Sequence, residues 1–259
     1  MRPSKIDWFT GLTIQISQEA MPDWKKVPLV SVDLECAGCD FTQHWMVAMG
    51  ISVRNKGQIT KQLFKFHVPC FPDKEFRGEW GWEERCWNEF WSKLPAETID
   101  TLRFPETPSG AVPEEHKAGA LLCYQGEVGA AIRHLRTIIE ELPEKPILVC
   151  DTCAFDITWV DYFNLQHMKT GRPMQYSDKW GYASLYNVND MARVFDKKLF
   201  DEAFTLLDEK KEFRHSHLPD EDAAFMLHKF EVVTEFKEAM SPYAEAMFDT
   251  VVNRKRKAD

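Results

Sequence analysis

Positive charge is in short supply in this chain: 32 Lys and Arg stand against 41 Asp and Glu, a formal net charge of −9. That balance argues against a protein that coats nucleic acid non-specifically, since such binders are usually basic. It leaves room for an enzyme on nucleic acid, because carboxylates loaded with metal ions reverse their local sign. Long apolar runs are missing too. None approaches the ~20 residues that a bilayer crossing needs, and the stretch before Pro28 lacks a continuous apolar segment, since Leu12 to Ile16 is interrupted by polar residues. The expectation is a soluble, intracellular protein, cytoplasmic or nuclear, with no membrane partner. An even cysteine count is also lacking. Seven cysteines fit reduced thiols better than a disulfide framework. Two CxxC pairs exist, Cys36/Cys39 and Cys150/Cys153, but a zinc ribbon separates its pairs by roughly 15–20 residues, and far more intervene here. Both pairs follow apolar strands, so buried or partly exposed thiols are expected, with a structural zinc as the open alternative.

What the chain does have is core material: 44% hydrophobic and 13% aromatic residues over 259 positions. The organising stretch is Pro28-Leu-Val-Ser-Val-Asp-Leu-Glu-Cys-Ala-Gly38. Leu29 to Leu34 reads as a short apolar strand central in a sheet. Asp33 and Glu35 stand at its downstream end, on the same face because strand side chains repeat every second residue. Two like charges so close are costly unless a cation lies between them, and hard divalent ions want carboxylate oxygens. The plain alternative is a strand end with two solvated acids.

Residues 1–26 form an extension without strong periodicity, which Trp8, Phe9 and Leu12 could dock. His44 to Val53 alternates as a strand, with Trp45, Val47, Met49, Ile51 and Val53 on one face. Asn55-Lys56-Gly57 signals a turn, and Thr60 to Val68 makes a third strand, so an antiparallel meander is expected. An insertion at about 70–126 is rich in Pro, Trp and charge. Within it, Glu83 to Lys93 reads as a helix and Arg103 to Glu115 as a loop. Trp80, Trp82, Trp87 and Trp91 read as packing residues, with stacking on bases the alternative. Val128, Ala131, Ile132, Leu135, Ile138, Ile139 and Leu142 form the stripe of an amphipathic helix that Pro143 and Pro146 end. Pro146 to Cys150 is a second buried strand, and the crossover helix makes it parallel to the first. Asp151 to Phe163 passes from that strand into a helix with Asp156 in its first turn. Met191 to Phe195 is a short strand or helical turn, and Leu199 to Leu207 a short helix. Asp222-Ala-Ala leads into a late apolar helix, and a separate last helix covers about Pro242 to Val252. The tail Arg254 to Lys257 is basic, a solvated end or a weak import signal.

The motifs resemble the DEDDh family of 3′–5′ exonucleases, built on the ribonuclease-H-like fold. The resemblance rests on Asp33-x-Glu35 at the end of the first strand, Ala154-Phe155-Asp156 where a strand gives way to a helix, and His217-x-x-x-x-Asp222 at the head of a late helix. It covers roughly residues 28–235 in motif order and spacing. Where many members carry His-Asn before the second motif, this chain has Asp151-Thr152, which leaves Asp151 a rival to Asp156. His215 and Asp220 also satisfy the third spacing; His217 and Asp222 are preferred because Asp222 opens the apolar helix. Tyr186-x-x-x-Asp190 fits a sister class but leads into no long helix.

The resemblance implies an α/β, ribonuclease-H-like mixed sheet flanked by helices, in an exonuclease domain spanning 27–253 with a basic tail at 254–259. It implies two ions, Mg²⁺ or Mn²⁺. Asp33 would bridge them, Glu35 and Asp222 would complete the site of the attacking water, and Asp156 would support the second. His217 would take the water's proton, a task for which histidine's ordinary pKa of about 6.5 is suited. Phosphodiester hydrolysis of single-stranded RNA or DNA at a free 3′ end would release 5′-mononucleotides. The alternative is an inactive module of the same fold that binds nucleic acid or protein. RNA or DNA preference, processivity and oligomeric state are not legible.

Overall fold

Leu29–Cys36 forms the central strand, β1, because both of its faces find apolar cover. Val30, Val32 and Leu34 enter one core, while Leu29 enters another on the opposite face. Burial on both sides explains an unbroken apolar run where a half-exposed strand would alternate. This is a computed structural model, and it describes residues 23–69, 71, 80–104, 120–167, 185–193 and 216–256, with only backbone described beyond 238. The docking residues expected at Trp8, Phe9 and Leu12, the Leu199 to Leu207 helix, His215, most of the expected 103–115 loop and the end of the basic tail lie outside the described residues.

The meander is completed by β2 (Met46–Asn55), antiparallel to β1, and β3 (Gln58–His67), antiparallel to β2. Their turn holds Lys56 at φ 52° and Gly57 at φ 79°. Two positive φ values in succession are what a tight hairpin following the sheet twist requires. β2 starts at Met46, two residues later than the alternation suggests, because a bulge at Glu35/Cys36 shifts the register. Val47 and Ala48 thereby join a different core from Met49, Ile51 and Val53.

The insertion holds α1 (Glu84–Glu89), α2 (Ala96–Leu102) and β4 (Ala120–Tyr124), which lies parallel to β3. The helix expected over 83–93 breaks at Phe90, whose φ/ψ of −125°/−74° is not helical, and resumes as a 3₁₀ turn at Trp91–Lys93. The break lets Trp91 bury completely beside Trp82 and Trp87. Packing is thus the role of these three, while Trp80 stays 73% exposed. Lys65 of β3 is buried and donates to the Thr101 carbonyl at 2.5 Å, a cation at the end of α2. Burial lowers its pKa.

After β4 come α3 (Val128–Glu141), β5 (Ile147–Cys150) and α4 (Cys153–His167). Val128, Ala131, Ile132, Leu135 and Ile139 of α3 are buried against the sheet, together with Ile157, Trp159 and Val160 of α4. The Val, Ile and Leu side chains among them each contribute about 1.5–3 kcal/mol on burial. β5 runs parallel to β1, and β6 (Leu185–Asn187) parallel to β5. A short α5 (Val188–Arg193) follows, helical where a strand or a helical turn was open. The last element, α6, spans Pro219–Arg256 in one piece. No separate helix begins at Pro242; α6 runs through it despite the roughly 3 kcal/mol that an interior proline costs.

The sheet order is β4-β3-β2-β1-β5-β6. With α3 and α4 on one face and α6 on the other, this is the mixed α/β, ribonuclease-H-like architecture. Phe225, Met226, Leu227, Phe230 and Val233 of α6 pack on Leu29, Ile147 and Val149. Trp24 closes this core, donating from Nε1 to Glu238 at 2.8 Å and standing edge-on to Phe230. Arg54 pairs with Glu231 of α6 and donates to the Trp24 carbonyl at 2.5 Å. Among the described residues, no helix is long and apolar enough to cross a membrane.

Candidate metal centre

The carboxyl ends of β1 and β5 place acids side by side. The β1–β5 ladder pairs Ser31 with Val149. Two residues further on stand Asp33, still in β1, and Asp151, just past the end of β5, so parallel pairing brings the two close. Asp156 joins them from the first turn of α4, which starts three residues after β5 ends. Asp33, Asp151 and Asp156 offer oxygens that all lie within 4.8 Å of one another.

The second group is assembled by α6. Gly50 of β2 lies opposite Asp33 in the β1–β2 ladder. A Cβ there would sit 1.9 Å from the Pro219 carbonyl carbon, so only glycine admits the start of α6. Ser52, on the same face, donates to the Asp220 carbonyl at 2.9 Å, and Lys61 pairs with Glu221. The helix head is thereby pinned to the meander. Asp222 accepts the Ser216 N–H at 2.8 Å, which folds the 216–218 turn back on the helix. His217 in that turn has φ 58°, a left-handed conformation rare for a residue with a side chain. Glu35, His217 and Asp222 offer ligand atoms that again all lie within 4.8 Å of one another.

Electrostatics join the two groups. Burial raises the pKa of Asp33 well above the usual carboxylate range, and Glu35, Asp156, Asp222 and Asp151 add repulsion. Glu35 is raised by burial and then by Asp222, Asp156 and Asp151. Asp156 is raised by burial and Asp151, against hydrogen bonding from its own and Leu34's backbone N–H. Asp222 is pushed up to about 6 by burial, against backbone hydrogen bonds from Ser216 and His217 and the nearby imidazole. Buried acids that repel one another store an unfavourable energy that cations relieve. The donor set, hard carboxylate oxygens with one imidazole, fits divalent ions such as Mg²⁺ or Mn²⁺.

The structure therefore brings together all five residues singled out by motif, and adds Asp151 as a neighbour of Asp33 rather than a substitute for Asp156. Gly50 was overlooked. A glycine inside an otherwise apolar strand was its one sequence signal. Tyr186 packs on Phe230, and Asp190 is exposed and takes its own backbone bond to Asn187. Neither belongs to a metal-capable group among the described residues.

The reduced-thiol expectation is corrected at one pair: Cys150 and Cys153 form a disulfide. Strand end and first helical turn hold their Cα atoms 5.5 Å apart, within the span a disulfide bridges. Cys36, Cys39, Cys86 and Cys123 are free thiols.

No family model matches the chain, and no curated protein sequence does. Among solved structures, the chain is similar to the E. coli ExoI–ssDNA complex in its zinc-ion-bound form, at 11% identity and a TM-score of 0.37 over 65% of this chain and 29% of that one. It is similar to the metal-free form of the same complex at 12% identity and a TM-score of 0.39, over 86% of this chain and 41% of that one. The chain thus spans less than half the length of those it matches.

Proposed function

We propose that the protein is a metal-dependent 3′–5′ exonuclease that hydrolyses phosphodiester bonds of single-stranded DNA or RNA to 5′-mononucleotides. One observation carries the reading: two metal-capable groups, supplied from three distant segments, meet at adjacent same-face positions of one strand. A capping acid or a solvated strand end explains neither their convergence nor their burial.

Asp33, Asp151 and Asp156 would hold one divalent ion, and Glu35 and Asp222 another, with Asp33 able to serve both. When bound, such a pair neutralises the acids and stabilises the charge that builds on the attacking and leaving oxygens at phosphorus. Asp222, held by the Ser216 N–H, orients its carboxylate and the turn that carries His217. His217 takes the proton of the attacking water as general base, and its place beside Asp222 and Glu35 favours the imidazolium that results. The net reaction breaks the P–O3′ bond, forms a P–O bond from water and leaves the phosphate on the 5′ oxygen of the released nucleotide.

The test is incubation of 5′-end-labelled single-stranded DNA and RNA with Mg²⁺ or Mn²⁺, then with EDTA, beside Asp33→Ala. A 3′-shortening ladder with mononucleotide release, lost in both controls, is expected. Intact substrate with all metals and both nucleic acids would remove the reading. Tight binding without cleavage would leave a binding module.

A further inference from the structure

We propose that Phe90, carried by the Trp-rich insertion, is a positioning residue for His217. The inference rests on the exonuclease reading for its kinetic consequence and on the structure for the contact itself.

The insertion is bonded to the two residues that follow Glu35. Trp91 Nε1 donates to the Cys36 carbonyl at 3.0 Å, and the Cys86 thiol reaches the same oxygen at 3.6 Å. The Glu83 N–H donates to the Ala37 carbonyl at 2.8 Å. Trp82, Trp87 and Trp91 stack edge-on behind these bonds at 5.4–5.8 Å between centroids. The scaffold is therefore rigid with respect to the strand that carries both acids.

Phe90 sits at the break between α1 and the 3₁₀ turn. While Trp91 turns inward to complete burial, the half-buried Phe90 ring meets the His217 imidazole, with centroids 5.2 Å apart and planes at 79°. Leu218, next in the turn, packs on the same tryptophan core. The turn is thus held from two sides: Asp222 binds its Ser216 N–H, and the insertion covers its apolar side. His217 needs such support. Its left-handed backbone is unfavourable for a side-chain-bearing residue and persists only where the surroundings over-determine it. An edge-to-face ring also limits the imidazole's rotation, which keeps its nitrogen near Glu35 and Asp222. The insertion therefore does more than enlarge the domain; it furnishes one wall of the base's seat.

The experiment compares wild type, Phe90→Ala, Phe90→Leu and Phe90→Tyr by two readouts. The first is steady-state cleavage of a labelled single-stranded DNA with Mn²⁺. The second is the NMR signal of the His217 ring in histidine-labelled protein, assigned with His217→Gln. Phe90→Ala should lower kcat by roughly ten- to a hundredfold, the cost of a misplaced group, with KM within about twofold. Phe90→Tyr should restore it and Phe90→Leu should do so in part. In a His217→Ala background, Phe90→Ala should add nothing. Beyond the shift that loss of the Phe90 ring current alone produces, the His217 signal should broaden in Phe90→Ala, while that of His134, which lies against Phe64, stays put. A His217 signal that stays sharp overturns the positioning role whatever the kinetics, and a raised KM at constant kcat overturns it in favour of substrate contact. A wild type that cleaves nothing, with a His217 signal that still broadens, would overturn the exonuclease reading and support the positioning. Should Phe90→Ala fail to fold, Phe90→Leu carries both readouts.

Discussion

The two metal-capable groups share a strand but are built in opposite ways. Asp33, Asp151 and Asp156 come together by strand pairing and one helical turn, with all three residues near the ends of adjacent parallel strands. Glu35, His217 and Asp222 depend on a helix almost two hundred residues downstream, admitted by a glycine and gripped by an insertion. The first group is all acid. The second contains an imidazole. On the exonuclease reading proposed above, the first group would hold charge and the second would move a proton, and the second, hung on a distant helix, is the more easily disturbed.

The largest effect should come from Asp33, which on the proposed reading serves both ions. Asp33→Asn is expected to lower cleavage on the order of 10³-fold and to remove binding of both ions, whereas Asp156→Asn and Glu35→Gln should each remove one. Mn²⁺ titration followed by electron paramagnetic resonance checks the stoichiometry. Equal losses for all three variants would break the comparison.

Next is pH. Asp33, Glu35, Asp156 and Asp222 all hold their protons more tightly folded than unfolded. Their contribution to stability is fully present below the unfolded pKa, near 4, and is lost as pH rises through the folded values, about 6 for Asp222. Asp222 alone accounts for about 3 kcal/mol across that window. In metal-free protein, Asp222→Asn, which keeps the oxygen that accepts from Ser216, should therefore melt above wild type at pH 8 and lose that advantage near pH 4.5. Added Mn²⁺ should raise the wild-type melting temperature more at pH 8 than at pH 5. Scanning fluorimetry reads both.

Gly50→Ala sharpens the contrast between the groups. Forcing a methyl against Pro219 should cost about 1–3 kcal/mol in urea unfolding and displace the head of α6. One Mn²⁺ should be retained by the first group while cleavage falls. Loss of both ions would show that the groups are not separable.

The smallest effect falls on the first group alone. Asp151 lies inside the short ring closed by Cys150 and Cys153. Cys153→Ser should cost roughly 2 kcal/mol of stability through unfolded-state entropy and weaken Mn²⁺ binding at that group, leaving the His217 ring signal unchanged. Thermal melts and the same titration measure it.

Much of this was legible from local pattern. The meander, the crossover helix and the parallel second buried strand follow from period-2 and period-3.6 patterning, since both sides of the sheet are apolar. Asp33, Glu35 and Asp156 stood out because each lies where an element begins or ends, and His217 with Asp222 because their spacing completes the motif set that the chain resembles. β4, α2 and β6 did not stand out, being short segments held by neighbours rather than by their own periodicity. The break at Phe90 answers to where Trp91 must go, and the disulfide to a strand end meeting a helix start; neither is written in spacing alone.

Taken by itself, the amino-acid order determined strands β1, β2, β3 and β5, the amphipathic helix and the kinds of donor atom available, because backbone preference and side-chain chemistry act over a few residues. Which donors meet in one group, that Asp151 stands beside Asp156, that Gly50 is a doorway and that Phe90 leans on His217 were decided by tertiary packing. Those distances depend on how sheet, helix and insertion close on one another, and no short window of sequence contains them.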